Sequence, residues 1–226
     1  MAAVKVLRAL LDLLYPPRCV FCRRLTDDGG AGICPECRET LPWTEDGVEK
    51  HGEGFSLCVA PLYYRDNVRE SLHRYKFGGA EGYAETYGPL LAECIRTRLK
   101  PRGGYDLISW VPLSRARLRE RGYDQAKLLA SAAARALGEP LVPTLEKQID
   151  VARQSTAGGA EKRRANIAGA YRVPDPEAVA GKRVLLIDDI VTTGSTLSEC
   201  AGTLRAAGAA EVVCAALAST PEENLV

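Results

Sequence analysis

Two adjacent carboxylates, Asp188 and Asp189, follow the apolar run Val184-Leu185-Leu186-Ile187 and precede Thr192-Thr193-Gly194-Ser195-Thr196. Aliphatic and β-branched residues in an unbroken run suit a strand covered on both faces. Carboxylates where such a strand emerges can hold the hydroxyls of a diol or a metal-bound sugar. The hydroxyls and glycine that follow can surround a phosphate where a helix begins, because the first backbone N–H groups of a helix lack partners and point outward. A helix cap would explain one Ser or Thr, but not two carboxylates followed by four hydroxyls within 192–196. Nucleotide hydrolases also place an aspartate after an apolar strand, but they need a G-x-x-x-x-G-K-[ST] loop, which this chain lacks.

A second chemistry lies near the start. Cys19-Val20-Phe21-Cys22 and Cys34-Pro35-Glu36-Cys37 give the spacing C-x2-C-x11-C-x2-C. Four thiolates so spaced can converge on one zinc ion, and a closed four-sulfur shell is structural, not catalytic. Disulfides are the competing use of the same residues, but nothing in the chain suggests secretion, and reducing conditions favour metal. Cys58, Cys94, Cys200 and Cys214 stand far apart in apolar settings and read as core residues. With only His51 and His73 as histidines, a Ser–His–Asp hydrolase has little support.

The elements that must position these groups read as an α/β fold. A helix is expected at 197–207, stopped by Gly208, after the strand that carries the aspartates. Asp106 to Val111 reads as another strand of a parallel sheet. It opens into Pro112-Leu113-Ser114-Arg115, where Arg115, Arg117, Arg119 and Arg121 alternate before an alanine-rich helix to Leu137 and a stop at Gly138. A basic loop at the carboxyl end of a sheet strand is where an anionic ligand should sit, which makes Ser114 and Arg115 candidates for a pyrophosphate; a solvated basic face is the alternative. Residues 153–166, with Arg153, Arg163 and Asn166, are small, glycine-containing and basic. That composition fits a lid over a charged ligand, and nearly as well an ordinary surface loop. Further strands are expected at 57–64, 171–173 and 211–218, and helices at 67–75 and 83–99.

The organisation expected is an amphipathic helix at 1–17, with Val4, Leu7, Leu10, Leu11 and Leu14 on one face. The cysteine module follows at 18–43, a polar linker at 44–54 and the main domain at 55–226. The net charge of +1 gives no global field for nucleic acid, so any such binding needs a local patch. Hydrophobic residues make up 46% and charged residues 26%, a globular balance. No apolar run approaches the ~20 residues of a membrane span, and Lys5, Arg8 and Asp12 interrupt a signal-peptide core, so a cytoplasmic location is expected.

The 184–196 stretch closely resembles the phosphoribosyl-pyrophosphate (PRPP) motif of type I phosphoribosyltransferases. Pro-Arg-Cys-x-x-Cys, the second cysteine pair, Val-Pro-Leu-Ser, Arg-Gly-Tyr-Asp-Gln-Ala, Arg-Gln and Arg-x-x-Asn precede it in order. Together they resemble the ComF (ComFC) family, a zinc ribbon fused to a phosphoribosyltransferase domain. The resemblance implies a type I phosphoribosyltransferase-like parallel sheet flanked by helices, with a small N-terminal zinc ribbon. It implies that Asp188 and Asp189 hold the ribose hydroxyls, that Thr192, Thr193, Gly194, Ser195 and Thr196 cradle the 5′-phosphate, and that magnesium accompanies PRPP. It also implies a role in natural transformation, where imported single-stranded DNA is handled, or in DNA repair. Two functions fit: phosphoribosyl transfer, or a non-catalytic accessory role in which the site senses ligand. In the second, the ribbon and basic loops contact single-stranded DNA, a helicase or DNA-uptake proteins. The chain departs from the family pattern at Asp124, commonly Asn, and near Gly159, where a leucine is common.

Overall fold

The computed structural model describes residues 16–26, 32–44, 49–148 and 169–221 of the 226. The expected helix bearing Val4 to Leu14 and the segment carrying Arg153, Arg163 and Asn166 lie outside the described residues. In chain order, α1 (Pro35–Thr40) belongs to the cysteine module, and β1 (Glu49–Gly52), β2 (Phe55–Val59) and β3 (Leu62–Tyr63) follow. Then come α2 (Asp66–Phe77), α3 (Ala84–Arg98), β4 (Leu107–Trp110), α4 (Arg115–Arg121) and α5 (Gln125–Leu137). The last elements are β5 (Glu146–Lys147), β6 (Tyr171–Arg172), β7 (Arg183–Val191), α6 (Ser195–Ala206) and β8 (Glu211–Ser219).

The main sheet runs β1-β2-β8-β7-β4, with β3 also beside β8. Every pairing in it is parallel except that of β1 with β2. Strands β7 and β8 are central, and their side chains divide by the two-residue period of a strand. Leu185, Ile187, Val213, Ala215 and Leu217 join the core beneath α2, α3 and α5. Val184, Leu186, Val212, Cys214 and Ala216 face the opposite way, against Leu197, Cys200, Ala201 and Leu204 of α6. Burial on both faces explains why these strands read as continuous apolar runs. On the first face α3 and α5 approach so closely that a Cβ on Gly88 would collide with Ala132.

Several elements differ from expectation for identifiable reasons. The strand expected at 57–64 is two strands, β2 and β3, both parallel to β8; Pro61 lies between them and has no N–H for the ladder. Residues 49–52, expected within a linker, form the edge strand β1, which hides a single lysine. Strand β7 does not stop before the aspartates but continues through them to Val191, because β8 stays paired with it as far as Ser219. The strand expected around Tyr171 exists, but it pairs with β5 in a separate two-stranded sheet. Helix α6 starts at Ser195, two residues earlier than expected, with Gly194 left-handed at φ 77° as its N-cap. That conformation favours glycine.

Candidate functional site

Strand β4 ends at Trp110, opposite Ile187, whereas β7 runs on beside β8 alone. The ledge so formed carries Asp188 and Asp189. By strand alternation Asp188 turns toward α6 and Asp189 toward α2 and α5, so the pair straddles the strand end. Asp188 accepts a hydrogen bond through Oδ1 from the Asp189 N–H at 2.8 Å. Asp189 is buried, and the Lys76 ammonium, at the end of α2, pairs with its Oδ1 at 2.9 Å. The Arg121 guanidinium lies close enough to Asp189 to be influenced by its charge, although burial lowers its pKa more strongly.

Beyond Val191 the chain turns through Thr192 and Thr193 into α6. The Thr193 and Ser195 hydroxyls are 2.8 Å apart, and the backbone N–H groups of the first helical turn open onto the same place. Lys50, on β1, fixes the base of this turn: its Nζ donates to the Thr192 carbonyl at 2.6 Å and to Thr220 Oγ1 at 3.2 Å. A cleft of about 440 Å³ borders the hydroxyls, with Thr193, Ser195 and Ser198 on one wall and His51 and Glu53 of the β1–β2 hairpin on the other. The turn can take an anion through backbone and hydroxyl donors. The aspartate ledge beside it can accept hydrogen bonds from hydroxyl groups.

The basic loop follows β4, beside the ledge, since the Val111 N–H donates to the Ile187 carbonyl. Ser114 is buried and already serves α4 as N-cap, its hydroxyl accepting from the Arg117 N–H at 3.3 Å; Arg115 is exposed on the first turn. Sequence reasoning missed Lys76 and Lys50, and gave Arg121 no individual role. Lys76 stands only in the helix-ending Lys-Phe-Gly-Gly, and no local pattern announces its partner 113 positions away.

Asp124 has a structural part that bears on this site. It is the N-cap of α5, with one oxygen accepting from the Lys127 N–H at 3.0 Å and the other from the Leu113 N–H at 3.1 Å. It therefore ties the basic loop to α5. Burial raises its pKa, and its charge in turn raises that of Asp188. Asp124→Ala should cost about 1–2 kcal/mol, the range for a lost N-cap. Asp124→Asn keeps one acceptor and should cost less while lowering the Asp188 pKa. Denaturant unfolding and a carboxyl NMR titration check the pair; equal stability of Asp124→Ala and the wild type would refute the capping role.

Burial, reinforced by the negative charge of Asp189, pushes Asp188 up to about 7. In the unfolded chain the same carboxyl titrates near its ordinary value, about 4. Between those values the folded protein holds a proton that the unfolded chain releases. This group's contribution is therefore most favourable below about pH 4, declines as pH rises to about 7, and is constant beyond. Melting temperatures of wild type and Asp188→Asn should accordingly diverge over that window, with the variant gaining on the wild type as pH rises.

The four knuckle cysteines meet as expected. The sulfur atoms of Cys19, Cys22, Cys34 and Cys37 all lie within 4.8 Å of one another, and Cys22 and Cys34 are 3.6 Å apart. Sulfurs around a tetrahedral zinc at about 2.3 Å are separated by roughly 3.8 Å, so the cluster fits a structural zinc ion. None of the eight cysteines is in a disulfide, and Cys58, Cys94, Cys200 and Cys214 are buried in the core. The first knuckle packs on α2 and α3. Arg74 donates to the Val20 and Phe21 carbonyls at 3.0 and 2.7 Å, Ser71 donates to Val20, and the Phe21 ring meets Tyr87 at 5.8 Å. Among the described residues no helix is long and apolar enough to cross a membrane.

Two families of known domains match parts of this chain. The family described as phosphoribosyl transferase domain covers residues 125–226, and the double zinc ribbon domain covers 10–58. The "DNA utilization protein YhgH" of Escherichia coli O157:H7 is 36% identical over 227 residues, covering 88% of this chain and 96% of that protein. "Competence protein F" of Haemophilus influenzae is 27% identical over 214 residues, covering 86% and 93%. Among solved structures, the glutamine PRPP amidotransferase from B. subtilis aligns with a TM-score of 0.40 at 25% identity, over 60% of this chain and 26% of that one. Similarity to competence and DNA utilization proteins along most of both chains, together with this chain's matches to both domain families, shows that this chain belongs to the ComF family.

Proposed function

We propose that this ComF-family protein binds PRPP with magnesium at residues 188–196 and transfers its phosphoribosyl group to an acceptor. The observation that carries the reading is the continuity of β7, the 192–194 turn and α6, which sets two carboxylates beside a helix start lined with hydroxyls. In this reading Thr192, Thr193, Gly194, Ser195 and Thr196 take the 5′-phosphate, and Asp188 and Asp189 take the ribose hydroxyls. Ser114, Arg115, Arg153, Arg163 and Asn166 are the residues that would shield and neutralise the diphosphate. Magnesium, when bound, supplies positive charge to the departing diphosphate. The aspartates hold the ribose while its anomeric carbon becomes electron-deficient, as in glycoside cleavage, so no protein nucleophile is required. The names of the relatives point to DNA use, and we place the reaction in the handling of imported single-stranded DNA or in DNA repair, in the cytoplasm.

One observation favours a second reading, a non-catalytic accessory role. Phe77 is 58% exposed and Leu118 42% exposed, and the Arg121 guanidinium stacks over the Phe77 ring at 4.8 Å. An exposed aromatic beside arginines is a surface on which unpaired bases stack. That surface, with the zinc ribbon, would meet single-stranded DNA or a helicase or DNA-uptake protein while the PRPP pocket serves as a sensor. Calorimetry with PRPP and magnesium tests the pocket, and pyrophosphate release against a panel of bases and nucleic acids tests turnover. Binding without release for any acceptor favours the accessory role. Absence of binding overturns both readings.

A further inference from the structure

We propose that Lys76 is a positioning residue of the aspartate ledge, and that α2 transmits its placement from the first cysteine knuckle, so the zinc module and the ledge form one mechanical unit. Its functional consequence rests on the PRPP reading given above.

Three observations converge on α2. First, Lys76 Nζ lies 2.9 Å from Asp189 Oδ1, with the two side chains only 21% and 10% exposed. An ion pair so shielded is poorly screened by solvent and holds both partners in place. Second, two and five residues before Lys76 the same helix is clamped to the knuckle. Arg74 donates to the Val20 and Phe21 carbonyls, and Ser71 donates to Val20 and meets the Tyr87 hydroxyl. Val20 and Phe21 are the two residues between Cys19 and Cys22, so their carbonyls are oriented by the same turn that gathers the sulfurs. Third, the residue between clamp and lysine is also anchored. Tyr75 is fully buried, its hydroxyl donates to the Gln125 carbonyl at 2.8 Å, and its own carbonyl accepts from the Tyr123 hydroxyl. A rigid helix held at Ser71, Arg74 and Tyr75 leaves the base of Lys76 little freedom.

Asp188 reports on the arrangement because Lys76 lowers its pKa. Asp189 on its own strand and Asp124 at the start of α5 raise it, while Cys200 on α6, Tyr171 on β6, Cys58 on β2 and Cys214 on β8 lie near enough for the Asp188 charge to raise their own pKa values. Withdrawing the ammonium should raise the Asp188 midpoint above its wild-type value of about 7. The charge alone accounts for that rise, so placement is read from the clamp variants, which keep the lysine and move the midpoint only by shifting it.

The experiment compares wild type, Lys76→Met, Lys76→Arg, Arg74→Ala and the milder Ser71→Ala by carboxyl NMR titration without ligand, and by calorimetry with PRPP and magnesium. Lys76→Met should raise the Asp188 midpoint and weaken PRPP binding about tenfold, with most of both restored in Lys76→Arg. Arg74→Ala and Ser71→Ala, which keep the lysine, should move both quantities the same way by less. A wild-type midpoint in Lys76→Met overturns the assignment of Lys76. A full effect in Lys76→Met with both clamp variants unchanged overturns the link to the knuckle. A wild type that binds no PRPP sinks the phosphoribosyl reading alone, since the titration still decides the part played by Lys76.

Discussion

Replacing Asp188 and Asp189 together by alanine is expected to weaken binding of PRPP and magnesium at least a hundredfold, roughly 2.7 kcal/mol, in calorimetry. The two carboxylates are the ledge's acceptors for sugar hydroxyls, and truncation leaves those hydroxyls facing methyl groups. The single variants should separate binding from stability. Asp188 is held up to about 7 by burial and by its neighbour's charge, so its removal relieves repulsion and should leave the protein at least as stable at neutral pH. Removing Asp189 deserts the shielded Lys76 ammonium and should cost about 3 kcal/mol, the lower end for a broken buried pair. Opposite stability effects with a shared loss of affinity would mark a site kept for ligand at the fold's expense. Hundredfold weakening absent from the double variant would sink the assignment of the ledge.

The parts of the fold that could be read from sequence are those where one residue type repeats a physical demand. Strands β7 and β8 are covered on both faces, so nearly every position must be apolar, and the runs stand out. Helix α5 combines alanine-rich apolar spacing with a left-handed Gly138 at its C-cap, and its end was legible to the residue. The cysteine cluster was legible because its ligand spacing is local. The 192–194 turn was legible because its hydroxyls and glycine are contiguous, although the helix begins at Ser195, sooner than expected.

What escaped reading is long-range or carried by one residue. β1 buries only Lys50 among exposed neighbours, so it shows no alternation and resembles a linker. A lysine can bury its stem and still use its ammonium, here on the Thr192 carbonyl. The pairing of Lys76 with Asp189 depends on how α2 lies across the sheet, which no neighbouring residue encodes. Asp124 appeared to exchange a neutral group for a charged one. The backbone donors Leu113 N–H and Lys127 N–H, visible only in three dimensions, explain why two acceptor oxygens are useful there.

The other large effect expected lies at the knuckles. Cys37→Ser should strip the module of its zinc, because an un-ionised hydroxyl is a poor replacement for a thiolate in a four-sulfur shell. The module has little apolar material of its own beyond Val20, Phe21, Ile33 and Leu41, so the metal holds much of its fold. Zinc binding is worth on the order of 10 kcal/mol in isolated finger peptides. Docking of Phe21 on Tyr87 and of the knuckle carbonyls on Ser71 and Arg74 would retain part of the structure without metal. A net loss of about 4 kcal/mol is therefore expected, which lowers the melting temperature by about 10 °C in a chain of this size. Cys94→Ser is the control: Cys94 is equally buried but stands outside the cluster, so the variant should keep its zinc and lose only about 1–2 kcal/mol by burying a hydroxyl. Because the knuckle carries the clamp on α2, Cys37→Ser should also weaken PRPP binding, whereas Cys94→Ser should not. Full zinc occupancy in reduced Cys37→Ser protein would overturn the four-cysteine site.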